Sequence, residues 1–229
     1  MSELREPLTH PILVSAGVAH AFGQLGTPEP PDVIRPIQEH GTDVAVLRDA
    51  REPDAGHADA VVSAFAGVPV GVVTADCVPV LLAVDGGRTV AAIHGGWRGI
   101  AAGVVPSAFE ALERAASPWE TISAVIGPHI GPCCYEVDSP VIDRLRIRFS
   151  MLLDSVLTPV NPDHAMLDLG ALMRLELIRA GVSAEEVGSF PDACTCCDEK
   201  RFHSYRRDGK RAGRMLHWIA ATGSGPAPL

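Results

Sequence analysis

The stretch that decides the fold runs from Val68 to Gly96 and reads VPVGVVTADCVPVLLAVDGGRTVAAIHGG. Two runs of β-branched and aliphatic residues, Val68–Val73 and Val78–Val84, flank a polar Thr-Ala-Asp-Cys centre. Short apolar runs of this kind are typical of buried strands, so the pattern predicts either two strands or one strand bent at the polar centre. The turn Asp85–Arg88, with its two glycines, predicts a hairpin into a further strand at Thr89–Ile93.

Outward from this stretch, strands and helices follow one another without a strict alternation. Apolar residues at helical spacing predict a helix over Ile100–Ala115, with Pro106 in its early turns. The other predicted elements are a strand broken at His40-Gly41 within Val33–Val46, a weakly alternating strand at Asp59–Ser63, a strand at Thr121–Ile126, amphipathic helices at Ser139–Ser155 and Asp168–Gly181, and strand and loop over residues 1–33. This mixture favours an α+β fold, or an irregular α/β sandwich, with mixed sheets.

Length and composition predict a globular chain, of one ordinary domain or two small ones, that binds neither nucleic acid nor membranes. The 229 residues carry 19 basic and 28 acidic side chains, which gives a net charge of −9. An acidic chain repels a phosphate backbone, and aromatic residues at 5% are too few for a base-stacking platform. The longest uncharged apolar stretch, Ala60–Ala75, is short for a bilayer and contains glycine and proline. The N-terminal residues lack the pattern of an export signal, so we expect a cytoplasmic location.

Three separate segments offer side chains that bind metals or act as bases. His40 lies beside a glycine, Cys77 follows Asp76 in the polar centre, and His94 follows the third strand. Each has an ordinary explanation, since lone histidines are usually structural, an aspartate caps turns and a cysteine fills space. The candidate ligands are 37 and 17 residues apart, which matches no zinc-finger spacing. Two imidazoles and one thiolate suit Zn²⁺ with an open fourth position, yet they equally suit a thiolate nucleophile with its base.

Two segments offer groups that bind anions. Gly95 and Gly96 allow a sharp turn before a helix, and Arg98 lies next to the free amides expected at the helix start. This arrangement suits a phosphate, although a tight turn with a surface arginine explains it as well. Arg206 and Arg207 follow an aromatic residue, and the pair suits either a clamp for phosphate or carboxylate or a solvated strand edge.

Five of the six cysteines fall into two short clusters, Cys133–Cys134 and Cys194–Cys197. In a reducing compartment such clusters suggest thiol or metal chemistry, and buried thiols that pack as weak hydrophobes are the alternative. Cys194 and Cys197 form one Cys-x-x-Cys pair, but the sequence contains no second such pair to complete a zinc ribbon. The second cluster is therefore either a second metal site or a structural feature, and the sequence favours the structural feature.

Taken together, five motifs resemble the YfiH family, also called laccase-domain, multicopper polyphenol oxidase-like or peptidoglycan editing factor. In the family's order they are QxHGTDV from residue 38, TADCVPVL from 74, HGGWRG from 94, IGPxIGPCCYEV from 126 and FHSYRRDG from 202. The similarity covers about residues 34–220 and implies a single domain of this family over residues 1–229. It implies an α/β sandwich shared with cytotoxic-factor-type cysteine hydrolases. It also implies a purine nucleoside phosphorylase that cleaves adenosine, inosine, guanosine or methylthioadenosine with phosphate and that deaminates adenosine.

The resemblance implies roles for individual residues. The family's metal triad, usually holding zinc, carries over to His40, Cys77 and His94. Zinc is favoured over copper, because laccase chemistry needs several coppers and the chain has nine histidines, only two of them in matched ligand positions. A redox-inert ion suits group transfer, and deamination fits a zinc-activated water with a carboxylate as proton shuttle. The residues assigned to catalysis are Asp76, Cys77 and Arg98, and those assigned to substrate and phosphate are Gly95, Gly96, Arg98 and Arg206.

The chain departs from the family pattern at several points. Residues 1–33 form a shorter N-terminal region without the family's Arg-x-Gly-Gly-Val-Ser and Ser-Leu-Asn stretches, and residues 222–229 are expected to form a disordered tail. His129 stands where cysteine is frequent, and Met173 where asparagine is expected. Three alternatives stay open: a Cys–His hydrolase or amidase of the peptidoglycan-editing type, with Cys77 as nucleophile and His94 as base; a copper polyphenol oxidase; and an inactive metal- or nucleoside-binding module.

Overall fold

The computed structural model describes residues 5–51, 54–116 and 118–223. This part of the chain forms twelve strands and six α-helices. The strands are β1 (Ala19–Phe22), β2 (Val44–Val46), β3 (Ala60–Ser63), β4 (Pro69–Thr74), β5 (Val78–Val84), β6 (Thr89–Gly95), β7 (Ile122–Ile126), β8 (Glu136–Asp138), β9 (Leu157–Asn161), β10 (His164–Leu167), β11 (Val187–Ser189) and β12 (Met215–Ala220). The helices are α1 (Pro11–Ser15), α2 (Trp97–Ala102), α3 (Val104–Ala116), α4 (Ser139–Phe149), α5 (Leu169–Arg179) and α6 (Tyr205–Asp208).

A six-stranded sheet of order β11-β7-β5-β6-β3-β2 forms the middle layer. Because side chains alternate along a strand, β5 sends Val80 and Leu82 into a core shared with α3, α4 and α5. Its other face sends Leu81 and Ala83 into a second core, against the three-stranded sheet β1-β12-β4. The pairs β2–β3 and β7–β11 are parallel and the rest are antiparallel, so the predicted α+β fold with mixed sheets is confirmed. A third sheet, β8-β10-β9, is separate.

The polar centre of the deciding stretch is where the chain crosses from one sheet to the other. β4 belongs to the three-stranded sheet and β5 to the six-stranded sheet, so the interpretation as two strands is correct. Asp76 has a φ of 87°, in the left-handed region, and this makes the sharp reversal between them. The predicted hairpin is also present, with Val84 paired to Thr89.

Several predicted elements have different bounds. The helix expected over Ile100–Ala115 is two helices, α2 and α3, because Gly103 adopts a φ of 105° between them. Pro106 lies in the first turn of α3, where its missing N–H breaks no helical bond. The helix expected over Ser139–Ser155 ends at Phe149 and continues as a 3₁₀ segment.

The N-terminal third holds less strand than predicted. Only Val44–Val46 of the expected Val33–Val46 strand is regular, and the segment before it makes single bridges at Ile34 and Ile37. Residues 1–33 contain the helix α1, which the prediction of strand and loop missed; Pro11 at its first position favours the helical φ. At the other end, the Thr222 hydroxyl donates to Gly86 O, while residues 224–229 of the predicted tail lie outside the described residues. No helix of the described chain is long and apolar enough to cross a bilayer.

Candidate metal centre

The fold brings three potential metal ligands together at one end of the central sheet. Cys77 directly precedes β5 and His94 lies near the end of β6, and the antiparallel register pairs Pro79 with His94. His40 comes from the loop before β2 and has a φ of 61°. The Cys77 Sγ lies 3.7 Å from the His40 Nε2, and the two imidazole rings are 4.8 Å apart edge to face. One ligand atom from each residue lies within 4.8 Å of the others. We call this group the His-Cys-His trio.

A buried carboxylate that sequence analysis missed holds two members of the trio. Asp59 is 1% exposed, and its Oδ1 lies 2.7 Å from the His94 Nδ1. The backbone N–H groups of His40 and Gly41 also donate to this carboxylate, at 2.9 and 2.6 Å. With Nδ1 engaged, the Nε2 of His94 is the nitrogen left for a metal. An acidic residue inside the apolar run around Ala58–Val62 was the available signal in the sequence.

The electrostatics of the trio favour an ionised thiol. Burial opposes ionisation of Cys77, but hydrogen bonds to His40 and His94 outweigh it and lower the thiol pKa to about 6. Burial also opposes protonation of His94, but hydrogen bonds to Asp59 and Cys77 outweigh it and raise the pKa of His94 to about 9. A thiolate is the form of cysteine that binds metals and attacks electrophiles. The trio is therefore charged and reactive at neutral pH.

The trio fits zinc in both donor type and spacing. Tetrahedral Zn²⁺ with Zn–S near 2.3 Å and Zn–N near 2.0–2.1 Å places sulfur and nitrogen ligands about 3.6 Å apart. The 3.7 Å between Cys77 and His40 is close to that value. Three protein ligands leave the fourth tetrahedral position for water or substrate, which is the arrangement of catalytic zinc sites.

The trio lies in the wall of a cavity of about 750 Å³. This volume is within the usual range for a small-molecule site. Arg98 is exposed and stacks on Trp97, with its guanidinium carbon 4.5 Å from the ring centroid. Arg206 donates to the carbonyl oxygens of Cys134 and Glu136, and its guanidinium lies 5.1 Å from the Tyr135 ring.

The sequence analysis gave no site role to two further cavity residues. Arg214 and the exposed Tyr205 line the same cavity, which therefore combines aromatic rings with three guanidinium groups. Arg207, by contrast, is used inside the protein. It donates to the carbonyl oxygens of Thr195, Cys196 and Phe202 and pairs with Asp208. The two adjacent arginines thus differ, and neither lies on a strand edge, because both belong to α6.

Asp76 also lines the cavity, and its carboxylate is hydrogen-bonded on both oxygens. It accepts from the hydroxyl groups of Thr195 at 2.6 Å and Ser204 at 3.1 Å, and from the backbone N–H of Arg206 at 2.6 Å. Through these bonds Asp76, the residue next to Cys77, connects the segment of Thr195 with the segment of Ser204 and Arg206. Its role as proton shuttle stays a prediction.

Gly95 and Gly96 lie behind the trio instead of in the cavity lining. A Cβ on Gly96 would lie 2.7 Å from the His40 Cδ2 and 3.2 Å from the Cys77 Sγ, so only glycine allows these ligands to approach each other. A Cβ on Gly95 would overlap the Cε of Met173. Both positions are explained by close packing, and the phosphate contact expected of their amides stays a prediction.

Comparison with known proteins gives one family. Residues 10–222 match the model of the family described as "Multi-copper polyphenol oxidoreductase laccase". Purine nucleoside phosphorylase YfiH of Escherichia coli K12 is 38% identical over 186 residues, which cover 80% of this chain and 71% of that protein. Adenosine deaminase RL5, from an unknown prokaryotic organism, is 33% identical over 196 residues, covering 82% and 74% of the two chains.

A solved structure gives the same result. The crystal structure of YlmD from Geobacillus stearothermophilus superposes with a TM-score of 0.75 at 31% identity, covering 84% of this chain and 74% of that one. The resemblance to the YfiH family that the motifs indicated is thereby confirmed.

Proposed function

The chain belongs to the multi-copper polyphenol oxidoreductase laccase family, and from that premise we propose that it is a zinc-dependent purine nucleoside phosphorylase that also deaminates adenosine. The proposed substrates are adenosine, inosine, guanosine and methylthioadenosine, each with inorganic phosphate. The observation that carries the proposal is the His-Cys-His trio in the wall of a 750 Å³ cavity with aromatic and guanidinium groups. Relatives named purine nucleoside phosphorylase and adenosine deaminase support both activities.

The metal in this proposal is zinc, held by His40, Cys77 and His94. When bound, zinc supplies Lewis acidity without redox chemistry. The family's description names copper, but a multicopper centre needs many histidines, and the trio contributes only two. Asp59 fixes the tautomer of His94 and the loop of His40, which is the usual role of a carboxylate behind a metal-binding histidine.

Different cavity residues bind different parts of the substrates in this proposal. Trp97, Tyr135 and Tyr205 present aromatic rings, which bind a purine by stacking. Arg98 and Arg206 provide positive charge for phosphate, whose attack on the anomeric carbon displaces the purine. The leaving purine takes up a proton.

Asp76 is the proposed proton shuttle, because it is the carboxylate adjacent to Cys77 and it lines the cavity. The hydroxyl groups of Thr195 and Ser204 that donate to it orient its two oxygens. In this proposal the same bonds hold the shuttle in place while it carries a proton during deamination.

A second candidate function is a Cys–His hydrolase. Asp59, His94 and Cys77 form a hydrogen-bonded chain, and the pKa of the thiol is lowered to about 6. This is the arrangement of an activated nucleophile, its base and the group that orients the base. Bound zinc separates the two proposals, because a thiolate that coordinates zinc is not free to attack.

The test combines metal content with a phosphate-dependence assay. The protein is purified without chelator, its zinc and copper are measured, and it is incubated with adenosine or inosine with and without phosphate. We expect zinc, phosphate-dependent release of base and ribose 1-phosphate, and loss of both zinc at the trio and turnover in His40→Ala. His10→Ala, which changes a histidine at the start of α1 and outside the cavity lining, is the matched control and should stay active.

Two outcomes would overturn the proposal. Inactivation of a zinc-free protein by alkylation of Cys77, with activity on an amide substrate, would favour the hydrolase. Zinc at the trio without turnover of any of the four nucleosides would leave a binding module in place of an enzyme.

A further inference from the structure

Four cysteine sulfurs lie close together in two loops that also contact Asp76. Cys133 and Cys134 lie in the loop after β7, and Cys194 and Cys197 lie in the loop after β11. The two strands are parallel neighbours, so the loops at their ends emerge side by side, and a single bridge between His129 and Cys194 continues the pairing. The four Sγ atoms all lie within 4.8 Å of one another. We call these residues the four-thiol cluster.

The distances match a tetrahedral site better than disulfides. The Cys197 Sγ lies 3.5 Å from that of Cys133 and 3.3 Å from that of Cys134, so it favours neither as a single partner. A disulfide needs about 2.05 Å. Sulfurs around tetrahedral Zn²⁺, each about 2.3 Å from the metal, are about 3.8 Å apart. The two distances from the Cys197 Sγ are slightly shorter than that value, and each pair of the four sulfurs lies within 4.8 Å.

The backbone around Cys194 is arranged as for a metal-bound thiolate. The N–H of Gly131 donates to the Cys194 Sγ at 3.2 Å, and the N–H groups of Cys196 and Cys197 also point to this sulfur. Such N–H···S bonds orient a thiolate ligand and offset part of its charge. A Cβ on Gly131 would lie 3.3 Å from the Cys133 Sγ, so glycine leaves room for the loop to close over the sulfurs.

Simple packing of apolar thiols does not explain the cluster. Cys133 and Cys197 are exposed, so their convergence removes little apolar surface from water. Four sulfurs held together at a surface, with amides pointing at one of them, need a binding partner that all four share. A thiophilic divalent cation has that chemistry.

We propose that Cys133, Cys134, Cys194 and Cys197 hold one Zn²⁺ in a closed structural site. The ion joins two loops that both reach Asp76: the Ile130 N–H donates to the Asp76 carbonyl, and the Thr195 hydroxyl donates to its carboxylate. The site thus braces the wall of the cavity beside Cys77. The proposal favours a second metal site over a cluster of structural thiols, with Cys133–Cys134 as the second cysteine pair.

The test isolates this site by removing the trio. In a full-length His40→Ala/Cys77→Ser protein, purified without chelator, we expect one zinc per chain, in line with a single four-ligand site. Adding Cys197→Ser should remove that zinc, whereas adding Cys196→Ser should retain it. Cys196 is the matched control because it belongs to the same loop but not to the four-thiol cluster. X-ray absorption at the zinc edge of the double variant should show four sulfur ligands.

A measurement on the unmutated chain covers the case in which Cys197→Ser does not fold. Native mass spectrometry should give two zinc ions per chain, and the denatured protein should have its full complement of thiol hydrogens. Masses lower by two hydrogens per bond would show disulfides and overturn the proposal, as would iron in place of zinc or a double variant without metal. Loss of nucleoside turnover with zinc still bound by four sulfurs would count against the proposed function only.

Discussion

The His-Cys-His trio and the four-thiol cluster are both convergent sets of soft ligands, but they are built differently. The trio has one thiol and two imidazoles, opens on a 750 Å³ cavity, and is supported by a buried carboxylate. The four-thiol cluster joins two loops and is supported by backbone amides. The first has three ligands and the second has four. In the two proposals, this is the difference between a zinc site that leaves a position for chemistry and one that closes a structure.

The two sites also differ in how they treat a thiol in the absence of metal. In the trio, imidazole partners lower the pKa of Cys77 to about 6. In the four-thiol cluster, burial and the neighbouring thiol of Cys197 raise the pKa of Cys133 to about 11. The trio therefore carries its own counter-charge, while the Cys133 thiol stays protonated near neutral pH until a cation displaces its proton. We expect the trio to be pre-formed and the cluster to depend on its ion.

The largest expected effects are those of removing one cysteine from each site, because the two variants should lose different properties. Cys77→Ser should lower nucleoside turnover by more than about 100-fold, because it removes a metal ligand itself and not only a carboxylate that orients one. The same change should shift Tm by only about 2–4 °C. Cys197→Ser should lower Tm by about 10 °C or more, because it removes a site that joins two loops. Thermal unfolding and the phosphorolysis assay measure both quantities. Equal Tm losses in the two variants would contradict the division of roles.

Part of this division is predictable from sequence. The hairpin turn at Asp85–Arg88 pairs β5 with β6, and that register alone places Cys77 near His94. His40 is different, because its loop is positioned by backbone bonds to the Asp59 carboxylate, which no periodic pattern reveals. The three N–H groups that donate to Asp59, those of Glu39, His40 and Gly41, belong to residues 18 to 20 positions away in the chain.

The four-thiol cluster was still harder to predict from the sequence than the position of His40. Two α-helices and four strands lie between Cys133 and Cys194 in the chain, and the two residues meet because β7 and β11 are parallel neighbours. Hydrophobic patterns identify buried strands but not which of them pair in parallel. The sequence therefore shows the Cys133–Cys134 pair but not that it joins Cys194 and Cys197 in one group. In contrast, the irregular order of strands and helices predicted the mixed fold. The family motifs predicted the three residues that meet in the trio, and their role as metal ligands stays a prediction.

The next effect tests whether Asp59 supports a metal. Asp59→Asn should weaken zinc binding at the trio by about 10- to 100-fold, since it removes the carboxylate that orients His94. Competition with a chelator, followed in protein that also carries Cys197→Ser or by site-resolved spectroscopy, measures this affinity. Glu176→Gln is the matched control, because Glu176 is another buried acid but pairs with Arg148. An equal loss in both variants would show a general effect of removing buried charge.

A pH titration of the metal-free protein tests the charge state of the trio. The pKa of Cys77 is lowered to about 6 from 9.0, so alkylation of Cys77 should rise with a midpoint near pH 6. Asp59→Asn weakens the positive charge on His94 and should move that midpoint upward. Peptide mapping after timed alkylation measures the rate at Cys77 alone. A midpoint near the ordinary value of 9.0 would contradict the predicted pairing with the imidazoles.

The same shifts set the stability of the metal-free fold. The thiolate of Cys77 contributes stability that is present above its unfolded pKa and is lost as pH falls through about 6. Protonated His94 contributes stability that is present below 6.5 and is lost as pH rises through about 9. Between those values one proton gained balances one lost, so stability should change little from about pH 6.5 to 9. Urea unfolding of the chelated protein at several pH values measures this plateau.

The smallest expected effect is that of alanine at two adjacent glycines, and it tests which of the two supports the His-Cys-His trio. Gly96→Ala would push a Cβ against His40 and Cys77, so zinc affinity at the trio should fall, by severalfold. Gly95→Ala meets the tip of Met173, a flexible side chain that can shift, and its Cβ would lie 3.0 Å from the Val78 carbonyl oxygen, so it should cost about 1–3 kcal/mol of stability while the trio keeps its metal. If instead Gly95→Ala raises the KM for phosphate and Gly96→Ala leaves zinc affinity unchanged, the glycines serve the phosphate site that the sequence suggested. That result would move the anion site behind the metal ligands and away from Arg98 and Arg206.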